Sequence, residues 1–241
     1  MRERFFCMNI AIIPARGGSK RIPGKNTRLF CGKPMILWSI EAALASGVFD
    51  QVIVSTDDAK IAELARAHGA EVPFIRPKSL SDDYTGTQAV IRHACDYLAS
   101  NDLLPDYVCC IYATAPFIDV NDIKFCLAQL KEKGANYCFP ITSFAYPIQR
   151  ALKIESDGTM NMFNPELFHM RSQDLIEAWH DAGMFYWGTF GAWLAQTPIF
   201  TKSSVPVILP RERVQDIDTP EDWLVAEIKF RIIENEHFNK M

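Results

Sequence analysis

From residue 9 to about 135 the chain alternates buried-strand runs with helix-like segments, and this rhythm constrains its fold more than any other feature. "NIAIIPA" reads as a strand, "PMILWSIEAALASG" as a helix with Pro34 in its first turn and Gly47 as its stop. "QVIVST" is the next strand; "DDAKIAELARAHG" is the next helix, with Asp57 or Asp58 as cap and Gly69 as stop. A short "EVPFIRP" segment leads to "TGTQAVIRHACDYLAS" as a third helix, "YVCCIYA" as a central strand and "VNDIKFCLAQLKEKG" as a fourth helix. Parallel strands need crossovers, so the pattern predicts an α/β fold with three layers and a mostly parallel sheet.

Residues 136 to 175 break the rhythm. "YCFPITSFAYPIQRALKIESDGTMNMF" has short β-type runs, two prolines and an Asp157-Gly158 turn, which predicts an antiparallel hairpin excursion. The chain returns through "GMFYWGTFGAWLA", a strand followed by a helix, and closes with "VQDIDTPEDWLVAEIKFRIIENE", a strand end leading into an amphipathic helix. The expected organisation is a single domain over 8–235 with a protruding, β-rich lobe at about 137–175. The lobe carries Phe139, Ile141, Phe144, Tyr146, Ile148 and Leu152. Such a surface suits burial against a second copy, so the lobe is expected to make a homodimer. Residues 1–7 read as an N-terminal extension, with Met8 as a second candidate start.

A net charge of −4 offers no basic field for nucleic acid, and no apolar run reaches the roughly 20 residues that span a bilayer. The seven cysteines form no C-x-x-C pair and several sit in apolar runs, as reduced core residues of a cytoplasmic protein do. The five histidines show no zinc-ligand spacing, and no G-x-S-x-G elbow supports a serine hydrolase.

Two constellations carry chemistry. The first is "AIIPARGGSKRIPGKN", which places Arg16, Lys20, Arg21 and Lys25 around Gly17 and Gly18 just after the first strand, where open α/β sheets bind ligands. It is neither a P-loop, since Ser19 and Asn26 stand where that motif needs glycine and Ser/Thr, nor a dinucleotide fingerprint. A small anion is the expected ligand. The second is "DIDTPEDW". In an extended segment Asp216 and Asp218 share a face and can converge on Mg²⁺, which takes one or two carboxylates and completes its shell with water and phosphate oxygens. The competing reading is a helix start, because Thr219-Pro220-Glu221-Asp222 has the form of a capping box. Asp57 and Asp58 read as helix caps.

With the loop, "GKPMILWSIEAAL", "VIVSTDD", "RPKSLSDDYTGT" and "DIDTPEDW" in this order, the chain resembles the CMP-sugar synthetases that activate nonulosonic acids, from about residue 8 to 230. "SFAYPIQRALKI" and "DAGMFYWGTF" look most like the pseudaminic acid branch. The resemblance implies a nucleotide-diphospho-sugar transferase-like fold and transfer of CMP from CTP to the anomeric hydroxyl of a 2-keto sugar acid, releasing pyrophosphate. It assigns Ala15, Arg16, Gly17, Ser19, Lys20, Lys25, Asn26, Arg76 and Thr87 to the nucleotide, with Arg16 and Lys25 stabilising the leaving pyrophosphate. Asp216 and Asp218 match its Mg²⁺ carboxylates, and one of them, or a water on the metal, accepts the attacking proton.

Toward the sugar the pattern departs from the sialic acid branch, with Tyr112 in place of a glutamine, Gln149 in place of a lysine and Asp181 in place of an asparagine. Arg150 is then expected to take the sugar carboxylate, and Tyr146, Phe185 and Tyr186 to offer aromatic walls; ordinary core packing remains the alternative for those aromatics. N-acetylneuraminic acid, legionaminic acid and Kdo remain alternative sugars, and a non-catalytic nucleotide-binding module an alternative class. The partners implied are small molecules and a second copy, with neither nucleic acid nor membrane.

Overall fold

The computed structural model describes residues 7–238, so the expected extension lies, apart from Cys7, outside the described residues. Along the chain run β1 (Asn9–Pro14), the ribbon β2 (Leu29–Phe30) and β3 (Lys33–Pro34), α1 (Met35–Ser46), β4 (Gln51–Ser55), α2 (Ala59–Ala67), α3 (Thr87–Ser100), β5 (Tyr107–Ile111) and α4 (Val120–Lys133). Then follow β6 (Tyr137–Ser143), β7 (Leu152–Ile154), β8 (Met160–Met162), β9 (Trp179–Asp181), β10 (Phe185–Thr189), α5 (Phe190–Leu194), β11 (Ser204–Ile208) and α6 (Pro220–Phe238).

The main sheet has the order β11-β6-β10-β5-β1-β4, with β9 also on β6. β1 pairs in parallel with β4 and β5, and β11 with β6, while β10 and β9 run antiparallel to their neighbours. The sheet is therefore mixed and mostly parallel. Alternation along β1 builds both of its faces: Ala11 and Ile13 join the core under α1, α2, α4 and α6, whereas Ile10 and Ile12 join the core under α3 and α5. The three expected layers follow directly.

Local chemistry sets the helix ends. The Asp58 carboxylate accepts the amides of Lys60 and Ile61 to start α2, Asp119 accepts that of Asn121 to start α4, and left-handed Gly47 and Gly134 stop α1 and α4.

Three expectations change. The break comes later than residue 137, because β6 lies inside the main sheet, hydrogen-bonded to β10, β9 and β11, and its Tyr137, Cys138 and Phe139 are core residues. The lobe proper starts at Phe144 and holds the β7–β8 ribbon, turned at Asp157-Gly158, with Gly158 left-handed at φ 83°. The segment before α6 is extended but belongs to no strand. Finally, α6 is not cleanly amphipathic: Trp223, Ala226 and Phe230 are buried, yet Leu224, Ile228 and Ile232 face outward.

Candidate active site

The cation loop leaves the carboxyl end of β1 and is pinned at several points. The Ala15 amide donates to the Ser55 carbonyl at 2.9 Å, Ile22 is buried in the core, and the Asn26 side-chain amide donates to the Arg16 carbonyl at 2.8 Å. Pro23 and left-handed Gly24 form the corner of a turn closed by the Lys25 amide on the Ile22 carbonyl at 3.1 Å. Gly17 is forced by its neighbour, because a Cβ there would lie 2.7 Å from the Asp58 carboxylate that caps α2. These contacts hold the cations in place without a ligand.

Two adjoining cavities open beside the loop. The larger, about 400 Å³, is lined by Arg16, Ser19, Lys20, Arg21, Lys25, Asn26, Asp83, Tyr112 and Asp218 among others. The smaller, about 250 Å³, shares Arg16, Asp83 and Tyr112 with it and adds Arg76 and Thr87. None of the lining residues of either is a histidine. The Arg76 guanidinium is buried, with its Nε on the Ser81 hydroxyl at 3.1 Å and Asp57 at 3.8 Å. Burial lowers its pKa, and Asp57 partly restores it. A buried cation so thinly paired favours a ligand that brings an acceptor. Thr87 meets the Tyr112 hydroxyl at 3.1 Å, and burial pushes the Tyr112 pKa up to about 12.

Asp218 lines the larger cavity, whereas Asp216, on the other side of a buried residue, lines neither of the two. Ile217 is fully buried, so Asp216 and Asp218 both turn to the opposite side of the extended segment. Asp218 pairs with Arg21 at 2.9 Å and Lys25 at 3.3 Å, and Lys25 also donates to the Ile217 carbonyl. Helix capping does not occupy it. The Thr219 hydroxyl accepts the Asp222 amide at 3.1 Å, and the Asp222 carboxylate accepts the Thr219 amide at 2.7 Å, so those two residues start α6 themselves.

Asp216 keeps a solvent-exposed face, but the surrounding protein desolvates its carboxylate enough to raise its pKa, and Asp218 adds repulsion. Left-handed Gly183, whose Cβ would stand 3.8 Å from the Asp216 carboxyl carbon, leaves room beside it. Two adjacent carboxylates, one of them desolvated and repelled by the other, fit a divalent cation that completes its shell elsewhere.

Of the expected nucleotide residues, Arg16, Ser19, Lys20, Lys25 and Asn26 share the larger cavity, and Arg76 and Thr87 the adjoining one. Ala15 is buried beneath them. The Gly17 amide does not face the cavity as expected but donates to Asp57 at 3.0 Å. On the sugar side, Phe185 is fully buried in the core under α1, α2, α4 and α6 and walls nothing. Tyr186 is also buried, tilted against Tyr112 at 5.4 Å between ring centroids, and its hydroxyl donates to Asp181.

Tyr146, Gln149 and Arg150 lie in the lobe. The Gln149 amide donates to the Ile176 carbonyl at 2.7 Å and Arg150 donates to the Met170 carbonyl, and none of the three lines the two cavities. Sequence reasoning assigned no role to Asp83, which meets Arg16 and Lys20, and read Asp57 as a helix cap, whereas Asp58 alone caps α2 and Asp57 meets the Gly17 amide and Arg76. The acidic run "SDDYTG" was the available signal for Asp83.

A cation-lined cleft at the carboxyl end of an open α/β sheet, with Asp83 and Asp218 among its lining residues, is the arrangement of an enzyme that handles nucleotide phosphates. The cytidylyltransferase family model matches residues 10–185. The chain is 46% identical to the pseudaminic acid cytidylyltransferase of Campylobacter jejuni over 224 residues, covering 93% of this chain and 97% of that protein. It is 34% identical to the CMP-N,N'-diacetyllegionaminic acid synthase of Legionella pneumophila, covering 90% and 94% of the two chains. In fold it is similar to a CMP:2-keto-3-deoxy-manno-octonic acid synthetase solved with CTP, with a TM-score of 0.66 over 95% of this chain and 99% of that one at 16% identity. The chain belongs to the cytidylyltransferase family and is a nucleotidyltransferase.

Proposed function

We propose that this enzyme transfers CMP from CTP to the anomeric hydroxyl of pseudaminic acid, releasing pyrophosphate. The observation that carries the proposal is 46% identity, nearly end to end, with an enzyme of that name, together with a cleft whose cations and carboxylates suit the reaction. Arg16, Ser19, Lys20 and Lys25 hold the triphosphate, Arg76 and Thr87 the nucleoside, and the sugar hydroxyl attacks the α-phosphorus in line. Positioning and charge neutralisation supply most of such catalysis. Asp216 and Asp218 would hold Mg²⁺, which when bound neutralises phosphate charge. No histidine lines the cleft and Asp218 does, which supports a carboxylate of this pair as the group that takes the attacking proton.

Two further features belong to the same reading. The lobe exposes Tyr146, Ile154, Met160, Phe163 and Ile176 together, which supports a homodimer in which Gln149 or Arg150 completes the neighbouring site. All seven cysteines are free thiols and no described helix is long and apolar enough to cross a membrane, which supports a cytoplasmic location.

The test is pyrophosphate release with CTP, UTP, ATP and GTP, with and without Mg²⁺, across a panel of pseudaminic, legionaminic, N-acetylneuraminic and Kdo acids. The expected outcome is turnover with CTP, Mg²⁺ and pseudaminic acid. Equal rates with a purine nucleotide, or full activity in EDTA, would refute the cleft assignment, and preference for another acid would move the sugar alone.

A further inference from the structure

The four loop cations meet two carboxylates at opposite ends of the cleft. Asp218 belongs to the acidic pair, but Asp83 has no role in the chemistry described so far. Its Oδ1 lies 2.7 Å from Arg16 Nη1 and its Oδ2 2.5 Å from Lys20 Nζ, so one carboxylate spans both cations. The same two cations hold its pKa below the ordinary carboxylate value.

Asp83 does not make its own loop. The turn there is built by Asp82, which accepts the Tyr84 amide at 3.0 Å and the Thr85 amide and hydroxyl at 2.7 Å, while the Asp82 carbonyl accepts Arg16 Nη1 at 2.6 Å. Ser81 anchors the segment to Arg76. Asp83 also lines both cavities, between the loop and the pocket of Arg76 and Thr87. An internal carboxylate therefore stands where Arg16 and Lys20 would meet phosphate.

We propose that Asp83 sets how tightly the cleft holds polyphosphate: it is an internal anion that a polyphosphate must displace from Arg16 and Lys20, and that competes again for both cations as pyrophosphate departs. The proposal rests on the CTP reading of the cleft. Charge decides the competition. A single carboxylate held by two cations at short range makes charge-assisted bonds that a ligand must exceed, and a triphosphate exceeds them with several charged oxygens. A nucleotide with one phosphate, like cytidine, leaves the Asp83 pair with Arg16 and Lys20 in place and is indifferent to it. The same competition weakens the hold on pyrophosphate, so Asp83 also favours product release.

Titration calorimetry of the full-length enzyme with CTP, CMP, cytidine and pyrophosphate, for the parent and for Asp83→Asn and Asp83→Glu, tests this. Asp83→Asn should tighten CTP and pyrophosphate by roughly fivefold, the scale of a partly exposed charge-assisted pair. CMP and cytidine should stay within about twofold, because they leave Arg16 and Lys20 unclaimed. The gap for CTP should shrink as salt is raised, since screening weakens the internal pair. Asp83→Glu, which keeps the competing charge, should return toward parent affinity.

Unchanged or weaker binding of CTP and pyrophosphate in Asp83→Asn would overturn the proposal and leave the CTP reading intact. Equal shifts for all four ligands would reveal a general effect on loop order and overturn it as well. A parent enzyme that binds no CTP would remove the nucleotide reading and this proposal with it. Thermal melts of all three proteins exclude misfolding as the cause, because the Asp83 contacts lie at the surface of the cleft.

Discussion

The cleft and the lobe satisfy their side chains in opposite ways. In the cleft, cations and carboxylates are matched within the chain: Arg16 and Lys20 with Asp83, and Arg21 and Lys25 with Asp218. In the lobe, Arg150 and Gln149 find only backbone carbonyls, while Tyr146, Ile154 and Ile176 are each over four-fifths exposed. A self-satisfied polar site can be assembled by one chain and then exchange its internal pairs for a ligand. An apolar surface of that extent is stabilised only by covering it. The contrast teaches that the cleft's charges are balanced within one chain, whereas the lobe leaves apolar side chains uncovered by its own chain.

The largest test falls on the cleft. Asp218→Asn and Lys25→Ala should each lower turnover by about 10²-fold or more, the scale for removing one preorganised electrostatic group. Their melting temperatures should stay close to the parent value, because Thr219 and Asp222 cap α6 without Asp218. A melting temperature that fell in Asp218→Asn with turnover intact in the folded fraction would make that residue structural. Arg16→Ala should behave similarly, and normal rates in both loop variants would reduce the loop to a solvated turn.

A middle-sized effect should come from the lobe. Light scattering at low micromolar concentration should show a dimer, and Ile154→Asp with Ile176→Asp should break it, raising the KM for the sugar while sparing CTP affinity. Mixing an Arg150→Ala chain with an Asp216→Asn chain sharpens the point. If sites are composite, each heterodimer has one site with both native residues, and random exchange returns about a quarter of parent activity. No recovery despite confirmed exchange would confine Arg150 to its own subunit.

The same division explains what could be read from the sequence. The strands and helices up to residue 135 were legible because their period and caps are local signals, such as Asp58 before α2 and Gly134 after α4. β6 was misread as the start of the lobe because Pro140 and the β-rich run after it look like an excursion, whereas its place is fixed by pairing with β10 and β11, which lie far along the chain. Phe185 was misjudged for a related reason. In a strand, neighbouring residues face opposite sides, and only the register against Ile111 shows that Phe185 points into the core under α1 while Tyr186 takes the other face, toward Tyr112. For Asp83 the sequence offered only the acidic run "SDDYTG", which marks a turn and names no partner. Its role depends on cations more than sixty residues away, which spacing does not reveal.

The smallest predicted effect separates function from stability within the acidic pair. Desolvation first, and the Asp218 charge second, raise the Asp216 pKa, so the native state binds that proton more tightly than the unfolded chain does. Stability therefore falls as pH rises through the window from the ordinary carboxylate value to the raised native one, and the penalty stays in full above it. Asp216→Asn removes the charge that incurs the penalty. At neutral pH without metal the variant should melt slightly higher than the parent, by roughly 1–2 °C once solvent screening of an exposed carboxylate is allowed for. The difference should fade as pH drops through the window, because the parent then protonates and loses the same charge. Mg²⁺ with CTP should reverse the order, raising the parent's melting temperature more than the variant's, since only the parent keeps both carboxylates for the cation. Melting curves from pH 4 to 8, with and without Mg²⁺ and CTP, check both signs: a variant less stable than the parent in metal-free buffer at neutral pH would mean that Asp216 supports the fold, and the raised proton affinity would then need another origin.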